Sequence, residues 1–422
     1  MTSSVIEDRG LHDLEEQTAR LADPSFFLTP EFTDLMGHLR EHSPVHWCQT
    51  WPDRGFWAIT RYEDIRSVFD KPLVFSNEAA GNIIPADPNL YRMHRDAMGF
   101  GSMTANTDPP KHGDLRRVFG RFFSAPKVAQ LEGICQDAVN DIFADVRDAA
   151  CFDFVSDAAA LLPARLICQL LGVPQGDWPE IGRYTNAFAS FADPALQLGA
   201  TPAETFKVAM EFTFDYIAQL SAKRRIDPRD DLISTVAGSM LNAEPILSCD
   251  AAWSSWSVLA AGFETSRNAI SGGLLALLEH PDQLDLLKAN PGLWRSATDE
   301  ILRWTTPATA NLRVALVDTD VAGHPIAAGD WVVLFIESAN RDDRVYRDPF
   351  KFDIQRKPNL HMSFGCGIHA CLGRMLATLE VQVMLRTLIA SSLHIEVAGP
   401  LQRVSSTIAK GLRHMPIRVI WT

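Results

Sequence analysis

The apolar residues between Lys111 and about Ala310 recur with an almost wholly helical period, and this long stretch restricts the fold more than any other feature of the sequence. Turns are expected where prolines interrupt the pattern, at Pro163, Pro174, Pro228, Pro281 and Pro291. Strand-like runs flank the stretch on both sides, at about residues 40–75 and 312–337. The order of these patterns predicts a mainly α, α+β protein with a large helical body and small β-sheets at its margins.

The chain of 422 residues is longer than a usual domain of roughly 100–200 residues. No Gly/Ser-rich linker, low-complexity run or internal repeat divides it. We therefore predict a single domain over residues 1–422, in which 40–75 and 312–337 are rich in β-structure and 111–310 is helical. Hydrophobic residues make up 46% and charged residues 22%, which excludes a disordered or collagen-like chain.

The balance of charge is acidic, because 39 Lys and Arg residues face 52 Asp and Glu residues, for a net charge of -13. This argues against broad nucleic-acid binding, since phosphate contacts need a basic surface. The N-terminus is too acidic for a signal peptide, and the apolar stretch 251–263 is shorter than the roughly 20 residues of a membrane-spanning helix. We expect a soluble cytoplasmic monomer without nucleic-acid or membrane partners, whose seven cysteines are reduced.

The segment 364–373, FGCGIHACLG, carries the sharpest chemical signal. Its three glycines allow tight turns and a close approach of the backbone to a flat or bulky group. Cys371 directly precedes an apolar helical pattern that starts at Leu372, and a thiolate at a helix N-terminus is a good metal ligand because the helix dipole stabilises it. From these residues alone, a buried structural cysteine is an alternative. A zinc cluster of Cys366, His369 and Cys371 is another, although it would lack a fourth ligand.

The segment resembles the heme-binding loop of the cytochrome P450 superfamily, Phe-Gly-x-Gly-x-His-x-Cys-x-Gly, and matches it at every fixed position. The resemblance implies that the chain binds heme b and that Cys371 is the thiolate ligand of the heme iron. It further implies that His369 donates a hydrogen bond to a heme propionate and that Phe364 packs beside the porphyrin. Cys366 occupies a variable position of the pattern, and we interpret it as a bystander.

Glu300 and Arg303 form an i, i+3 pair in a helical pattern. Surface pairs of this kind contribute little to stability, but the apolar neighbours of this pair favour partial burial. The heme-thiolate family carries Glu-x-x-Arg at this point and a further arginine in a later Phe-Asp-x-x-Arg segment, which residues 352–356 match. By that resemblance Glu300, Arg303 and Arg356 form a buried charged triad with a structural role.

Residues 261–265, AGFET, lie in the middle of a long predicted helix. Gly262 would ordinarily be a helix-packing contact and Glu264 a solvated side chain, although a carboxylate within an apolar run is costly to bury. The segment is similar to the cytochrome P450 motif Ala/Gly-Gly-x-Asp/Glu-Thr, on the helix that crosses the heme. The resemblance implies that Thr265 donates a hydrogen bond to dioxygen at the heme and that Glu264 helps to relay protons.

The segment 108–116, DPPKHGDLR, predicts a helix start with Asp108 as N-cap and Pro109 as the first helical residue. His112 and Arg116 are then four residues apart on one helix face, which by itself is typical of a solvated surface pair. The cytochrome P450 family uses His-x-x-x-Arg on this helix to bind a heme propionate. Arg313 matches a further propionate-binding arginine of the family.

Residues 111–127 contain five Lys or Arg residues and a single Asp, in a chain that is otherwise acidic. An ordinary solvated basic helix would show the same pattern. In the cytochrome P450 fold, however, this helix borders the face that carries the cysteine loop. The resemblance therefore implies that an acidic ferredoxin docks here and receives its electrons from a ferredoxin reductase, since no fused flavin or iron–sulfur domain is evident.

The fold implied by the resemblance would build a substrate pocket from the loop 77–106, a helical lid at 184–216 and the helix that crosses the heme. The pocket residues expected on this basis are Ala260, Ala261, Ala308, Thr309, Thr407 and Ile408. The small alanine side chains would leave room for a bulky substrate and do not suggest a narrow pocket. By analogy with bacterial members of the family, we expect a small apolar substrate that is a terpenoid, a steroid or a lipid-like molecule.

The preferred function is that of a heme-thiolate monooxygenase, which hydroxylates this substrate with dioxygen and two electrons from ferredoxin. An alternative within the family is a cytochrome P450 of secondary metabolism that hydroxylates, epoxidises or couples an aromatic or polyketide intermediate. An alternative of another class is a non-catalytic heme-thiolate binding protein or sensor. The Glu264–Thr265 pair argues against the last alternative, because a binding protein needs no proton relay.

Overall fold

The computed structural model describes residues 13–85, 98–407 and 409–422. Most of its helices fall in the stretch whose apolar period is helical, so the predicted mainly α, α+β fold is confirmed. Residues 13–19 are α-helical, and the helices after them are α1 (Pro30–His42), α2 (Tyr62–Phe69), α3 (Lys111–Gly120), α4 (Ala125–Gln130), α5 (Glu132–Val146), α6 (Leu161–Leu171), α7 (Trp178–Ala189), α8 (Pro202–Ile226), α9 (Leu232–Ala237), α10 (Ser248–Glu279), α11 (Pro281–Ala289), α12 (Trp294–Thr305), α13 (Ile336–Ala339) and α14 (Arg374–Ala390).

The strands are short and form small sheets beside the helices. They are β1 (Val45–Trp51), β2 (Arg54–Ile59), β3 (Phe75–Ser76), β4 (Phe152–Asp153), β5 (Met240–Leu241), β6 (Glu244–Pro245), β7 (Ala310–Ala315), β8 (Thr319–Val321), β9 (His324–Ile326), β10 (Trp331–Phe335), β11 (Ser392–Val397), β12 (Gln402–Arg403), β13 (Leu412–His414) and β14 (Pro416–Trp421). The pairs β5–β6, β8–β9 and β12–β13 are two-stranded, and β11, β14 and β4 form a sheet of three.

The largest sheet joins strands from both ends of the chain in the order β1-β2-β10-β7-β3. β10 runs parallel to β2 and antiparallel to β7, and it is buried at every residue. Its side chains alternate between two core clusters, with Trp331, Val333 and Phe335 in one and Val332 and Leu334 in the other. The two-residue period of a strand thus places this sheet between two apolar layers.

α10 is the longest helix and forms the centre of the helical body, where it packs against α6, α7, α8, α12 and α14. Glycines permit close contact with two of these neighbours. A Cβ atom on Gly273 would lie 2.6 Å from Cγ2 of Ile301 in α12, and one on Gly262 would lie 2.6 Å from Cγ1 of Ile167 in α6. Among the described residues no helix is both long enough and apolar enough to cross a bilayer.

The structure corrects the expected start of α3. The helix begins at Lys111 and not at Pro109, so the prediction that Asp108 is its N-cap is wrong. The carboxylate of Asp108 instead accepts hydrogen bonds from the backbone N–H of Asn77, 3.0 Å away, and from the hydroxyl of Ser76. An aspartate satisfies whichever free backbone donors its fold brings near, and here they belong to the end of β3.

Candidate active site

Residues 364–373, which we call the glycine loop, and the middle of α10 border the same internal cavity, of about 410 Å³. The wall between them is mainly apolar and aromatic. It includes Phe100, Met103, Phe188, Phe206, Met210 and Trp256. Because Phe188 and Phe206 come from the helices predicted to form a lid, the lid does contribute to the cavity wall. A cavity of this kind suits an apolar guest beside a few polar groups.

Two glycines shape the glycine loop. Gly365 and Gly367 have φ angles of 62° and 66°, in the left-handed region that residues with a Cβ atom rarely adopt. A Cβ atom on Gly367 would also lie 2.8 Å from the backbone oxygen of Phe69 in α2. The loop closes with a 2.7 Å hydrogen bond from the N–H of Cys371 to the carbonyl oxygen of Phe364. This backbone path brings Cys371 to the cavity wall.

The thiol of Cys371 lies deep in the protein and is nevertheless accessible, because it faces the cavity. Burial raises its pKa, while the backbone N–H of Gly373 and the charges of Arg116 and Arg374 act in the opposite direction. α14 begins at Arg374, two residues after the predicted start at Leu372. The thiol therefore has both the N-terminal end of a helix and two arginines beside it, which favours a thiolate when a metal ion is bound.

Cys366 has a different environment from Cys371. It packs against an apolar core cluster, and burial raises the pKa of its thiol to about 11. His369 and Cys371 border the cavity, whereas Cys366 does not. Within the described ranges no group of three His, Cys, Asp or Glu residues could hold a metal ion, which argues against the alternative of a zinc cluster.

Basic side chains gather at one part of the cavity. Arg116, Arg313 and His369 border it, and the ring of His112 lies 4.1 Å from the ring of His369. Burial lowers the pKa of Arg313 to about 10 and that of His112 to about 4. The structure thus brings together residues that are distant in sequence, and we call them the basic cluster: His112, Arg116, Arg313 and His369.

No residue of the basic cluster forms an ion pair in the described part of the chain, and the carboxylate of Asp108 acts on Arg313 and His112 only from beyond ion-pair distance. Arg313 donates a hydrogen bond to the carbonyl oxygen of Leu312 and Arg116 to that of Ala370, and neither forms an ion pair there. Nε2 of His112 is buried without a hydrogen-bond partner among the described residues. A buried arginine, a half-buried arginine and an unpaired ring nitrogen, all near a thiol, fit a group that carries carboxylates and a metal ion, as heme b does.

Glu264 and Thr265 border the cavity from the middle of α10. Oε1 of Glu264 accepts two hydrogen bonds, from Nη2 of Arg267 at 2.6 Å and from the hydroxyl of Ser190 at 2.8 Å. Its Oε2 is buried and has no partner in the described ranges. The hydroxyl of Thr265 donates a hydrogen bond to the carbonyl oxygen of Ala261, 2.9 Å away. Glu264 is therefore a buried, paired acid and not a solvated side chain.

The structure brings the three residues of the predicted triad into contact. Glu300 and Arg303 are fully buried and form a two-point ion pair with distances of 2.7 and 2.8 Å. Nε of Arg356 lies 3.2 Å from Oε2 of Glu300. Arg303 also donates to the carbonyl oxygen of Asn340, whose side chain donates to Ser363 directly before the glycine loop, 2.9 Å away. The triad is thus connected to the residue from which the glycine loop starts.

The predicted pocket residues separate into two groups. Those that border the cavity are Ala260, Ala261 and Ala308. Thr309 and Thr407 are buried behind the wall, where the hydroxyl of Thr309 donates to the carbonyl oxygen of Thr407 at 3.3 Å. Ile408 and residues 86–97 of the predicted pocket loop lie outside the described residues.

Sequence reasoning missed Glu380 in α14, which is buried and borders the cavity. Burial raises the pKa of its carboxyl group to about 8, and a hydrogen bond with Ser266 opposes this rise. Its Oε1 has no partner among the residues that the structure describes. The available signal was an acidic residue within an otherwise apolar helical pattern.

Comparisons with known proteins agree with this geometry. The sequence model of the cytochrome P450 family matches residues 293–395. The chain is 30% identical over 402 residues to linalool 8-monooxygenase of Pseudomonas putida, an alignment that covers 95% of this chain and 98% of the relative. It is 31% identical over 407 residues to steroid C26-monooxygenase of Mycobacterium bovis, with 94% and 91% covered. A Mycobacterium marinum cytochrome P450 structure in complex with pseudoionone aligns with a TM-score of 0.86 at 29% identity, over 94% of this chain and 97% of that one.

These alignments extend over nearly the whole chain, at an identity that defines a family. The chain belongs to the cytochrome P450 family. The resemblance predicted from residues 364–373 is thereby confirmed, and with it heme b as the cofactor and monooxygenation as the class of reaction.

Proposed function

We propose that the protein hydroxylates a small apolar molecule of the terpenoid, steroid or lipid type, with dioxygen and two electrons from a ferredoxin. The observation that carries this proposal is the cavity, because its apolar walls meet both Cys371 and the Glu264–Thr265 pair. An apolar molecule in this cavity would be held beside the groups that the reaction needs, which is a large part of what an enzyme contributes to catalysis.

The heme supplies the redox chemistry that reduces dioxygen and transfers one oxygen atom to the substrate. In our proposal the thiolate of Cys371 is the ligand of its iron, and the basic cluster binds its two carboxylates. Phe364 borders the cavity and would pack on the porphyrin beside that ligand. Neither Arg116 nor Arg313 has an ion-pair partner among the described residues, which supports this arrangement. Arg313 provides the strongest support, because a buried cation without an anion is costly.

Glu264 and Thr265 would hold and move protons at the cavity wall. The one hydrogen of the Thr265 hydroxyl is engaged with the carbonyl oxygen of Ala261, so in this geometry its lone pairs accept a proton or a hydrogen bond. The donation to dioxygen that the family resemblance implies would require the hydroxyl to rotate away from Ala261. Arg267 and Ser190 hold Glu264 through Oε1, which leaves Oε2 as the oxygen that accepts or releases a proton. This pair favours a monooxygenase over a heme-binding sensor.

The proposed substrate class rests on the cavity walls and on the relatives. Phenylalanine and tryptophan side chains such as Phe188, Phe206 and Trp256 offer broad apolar faces to a hydrocarbon skeleton. One relative is a linalool monooxygenase and another is a steroid monooxygenase, and the similar structure was solved in complex with pseudoionone. Linalool and pseudoionone are terpenoids. An apolar skeleton with few polar groups is common to these molecules.

The proposed ferredoxin site is a basic surface beside the glycine loop. Its exposed members are Arg117, Arg121, Lys127 and Arg374. α3 touches the loop directly, because Arg116 donates a hydrogen bond to the carbonyl oxygen of Ala370. A small acidic protein that docks there would bring its redox centre close to Cys371, and the opposite charges would steer the encounter.

Substrate binding and turnover test the proposed reaction. The ferric holoprotein is titrated with terpenoids, steroids, fatty acids and aromatic compounds, and the Soret band reports the loss of water from the heme iron. We expect terpenoids or steroids to shift the band and to be hydroxylated when NADH, ferredoxin and its reductase are supplied. In the Cys371→Ala variant the far red-shifted Soret band of the reduced, CO-bound protein should be lost. If no compound of the panel is hydroxylated, the result contradicts the proposed reaction and favours the alternative of a non-catalytic heme-binding sensor.

A charge reversal tests the ferredoxin site separately. Arg117→Glu/Arg121→Glu should slow electron transfer from ferredoxin and weaken its dependence on ionic strength, because attraction across the basic surface is screened by salt. The control is Lys207→Glu/Lys223→Glu, which makes the same change in charge at exposed positions of α8. An unchanged rate and salt dependence in the first variant would contradict the proposed site.

A further inference from the structure

Residues 404–407 and 409–411, the described residues between β12 and β13, are called the β12–β13 connection, and Ala409 is its contribution to the cavity wall. Ala409 borders the cavity and pairs with Ala308, which borders it as well. The next residue, Lys410, donates a backbone hydrogen bond of 2.9 Å to the carbonyl oxygen of Pro307. Each alanine presents a single methyl group, so the path of the backbone decides where the cavity ends at this wall.

An ion pair lies behind this wall. Nζ of Lys410 contacts Oε1 of Glu337 in α13, and the backbone N–H of Glu337 donates to the carbonyl oxygen of Thr309, 3.2 Å away. Thr309 directly follows Ala308, and its hydroxyl reaches the carbonyl oxygen of Thr407. The ion pair therefore joins α13, the residues before β7 and the β12–β13 connection into one unit.

The surroundings make this pair sensitive to the loss of either partner. The side chain of Glu337 is 11% exposed and that of Lys410 is 32% exposed. Arg341 is also near Glu337, but its guanidinium group donates to the carbonyl oxygens of Arg303 and Trp304. Oε2 of Glu337 has no hydrogen-bond partner within the described ranges. Without Lys410, a nearly buried carboxylate would lose its direct counter-charge, which is costly.

We propose that Lys410 and Glu337 are positioning residues that determine which carbon atom of the substrate is oxidised, an inference that rests on the proposed use of the cavity as the substrate site. The intact pair holds the wall formed by Ala308 and Ala409 in place. The substrate then binds in a single position, at a fixed distance from Cys371. When the pair is broken, the β12–β13 connection shifts, and the substrate binds in several positions at different distances from Cys371. Oxidation then spreads to neighbouring carbon atoms, because small displacements decide which bond is in reach.

A charge swap in the holoenzyme tests this role. Lys410→Glu places two carboxylates together, and Lys410→Glu/Glu337→Lys forms the pair again with its charges exchanged. With the substrate that the wild type hydroxylates best, the ratio of the main product to its positional isomers should fall by about fivefold or more in the single variant. The double variant should return the ratio to the wild-type range.

Hydrogen exchange provides a readout that does not depend on activity. The backbone N–H of Lys410 donates to Pro307, so its exchange rate, measured without substrate, reports the position of the β12–β13 connection. The rate should rise by about tenfold in Lys410→Glu and fall again in the double variant. Glu337→Gln keeps the shape of the side chain and removes its charge, so this milder variant should change both readouts in the same direction.

The matched control is the ion pair of Arg224 and Asp231, whose side chains are 7% and 5% exposed and do not border the cavity. Asp231→Asn should lower stability and leave the product ratio unchanged. An unchanged product ratio in both Lys410→Glu and Glu337→Gln would overturn the inference, and so would a charge swap that does not restore the ratio. The proposed function fails in a different experiment: it is overturned if the wild-type enzyme hydroxylates no compound of the panel. The two failures are therefore distinguishable, because an unchanged product ratio in the variants requires a wild type that is active.

Discussion

The hydroxyl of Ser190, at the end of α7, donates a 2.8 Å hydrogen bond to Oε1 of Glu264 in the middle of α10. The same oxygen accepts a 2.6 Å hydrogen bond from Arg267, which lies on α10 itself. α7 contributes to the predicted lid at 184–216. A movement of the lid would therefore remove the uncharged donor Ser190 from Glu264 but leave its counter-charge, Arg267, in place.

Replacement of Ser190 by alanine should impair proton transfer and spare substrate binding. A hydrogen bond to a charged group contributes about 1.5–3 kcal/mol, and Arg267 would retain part of the positioning of the Glu264 carboxylate. We expect the rate of coupled hydroxylation to fall by about threefold to tenfold, with a matching rise in hydrogen peroxide release per NADH consumed. The substrate dissociation constant, measured by the shift of the Soret band, should stay within about twofold of the wild type.

Two further variants bracket this prediction. Glu264→Gln removes the acid itself and should reduce coupled hydroxylation by about a hundredfold. Ser156→Ala changes an exposed serine in the segment before α6 and should have no effect on either quantity. A Ser190→Ala enzyme with wild-type coupling would show that Arg267 alone is sufficient to position Glu264.

Removal of either partner of the buried Glu300–Arg303 pair should strongly destabilise the protein. Both side chains are fully buried. Loss of Glu300 would leave Arg303 without its anion, and loss of Arg303 would leave Glu300 with the weaker ion pair to Arg356 as its counter-charge. We expect Arg303→Ala to lower the free energy of unfolding by about 3–5 kcal/mol. Because Arg303 is connected through Asn340 to the start of the glycine loop, the variant should also release its heme faster, as measured by transfer to apomyoglobin.

An exposed pair supplies the control for this prediction. The side chains of Arg347 and Asp348 are 96% and 69% exposed. Asp348 has a φ angle of 51°, which asparagine also tolerates, so Asp348→Asn removes the charge without straining the backbone. Stability should change by less than about 0.5 kcal/mol. A similar effect in both variants would refute a special role for the buried pair.

Glu380 predicts that stability depends on pH. Burial raises its pKa in the folded protein to about 8, from an ordinary value of 4.5. Because the pKa is higher in the folded state, Glu380 increasingly favours the unfolded state as the pH rises through this window. Glu380→Gln removes this titration. The stability of the variant relative to the wild type should therefore grow with pH by up to about 1.4 kcal/mol per pH unit, and become constant above about pH 8.

Urea unfolding at several pH values measures this difference. Glu63→Gln, at an exposed position of α2, is the control and should give a difference that does not vary with pH. If the difference between Glu380→Gln and the wild type were the same at about pH 5 and about pH 8, the raised pKa of Glu380 would be contradicted.

Gly367 predicts a steric limit in the glycine loop. A Cβ atom there would lie 2.8 Å from a backbone oxygen of α2, and the φ angle of 66° adds strain for any other residue. Gly367→Ala should lower stability by about 1–3 kcal/mol and reduce heme content after purification. Gly133→Ala, in α5, meets nothing within 4 Å and should retain the heme content of the wild type.

Chemistry that is carried by consecutive residues could be predicted from the sequence. The glycine loop with Cys371 and the Glu264–Thr265 pair of α10 are each formed by residues close together in sequence. Their relative positions therefore follow from the local backbone conformation. The alternation along β10 follows from the same principle, since a strand presents every second side chain to the same face. Through their resemblance to the cytochrome P450 family, the two motifs were sufficient for the cofactor and the class of reaction, while the helical period of residues 111–310 and the strand-like runs beside it indicated the fold class.

Apart from the triad, which the family motifs predict, the partners that are distant in sequence were decided only by the tertiary structure. Ser190 and Glu264 are 74 residues apart, and Glu337 and Lys410 are 73 residues apart. The carboxylate of Asp108 likewise satisfies donors near β3 and not those of its own helix. A polar side chain bonds to whichever donor or acceptor the packing of helices and strands places within about 3 Å. That distance depends on how all the elements pack together, and the apolar period along the chain does not encode it.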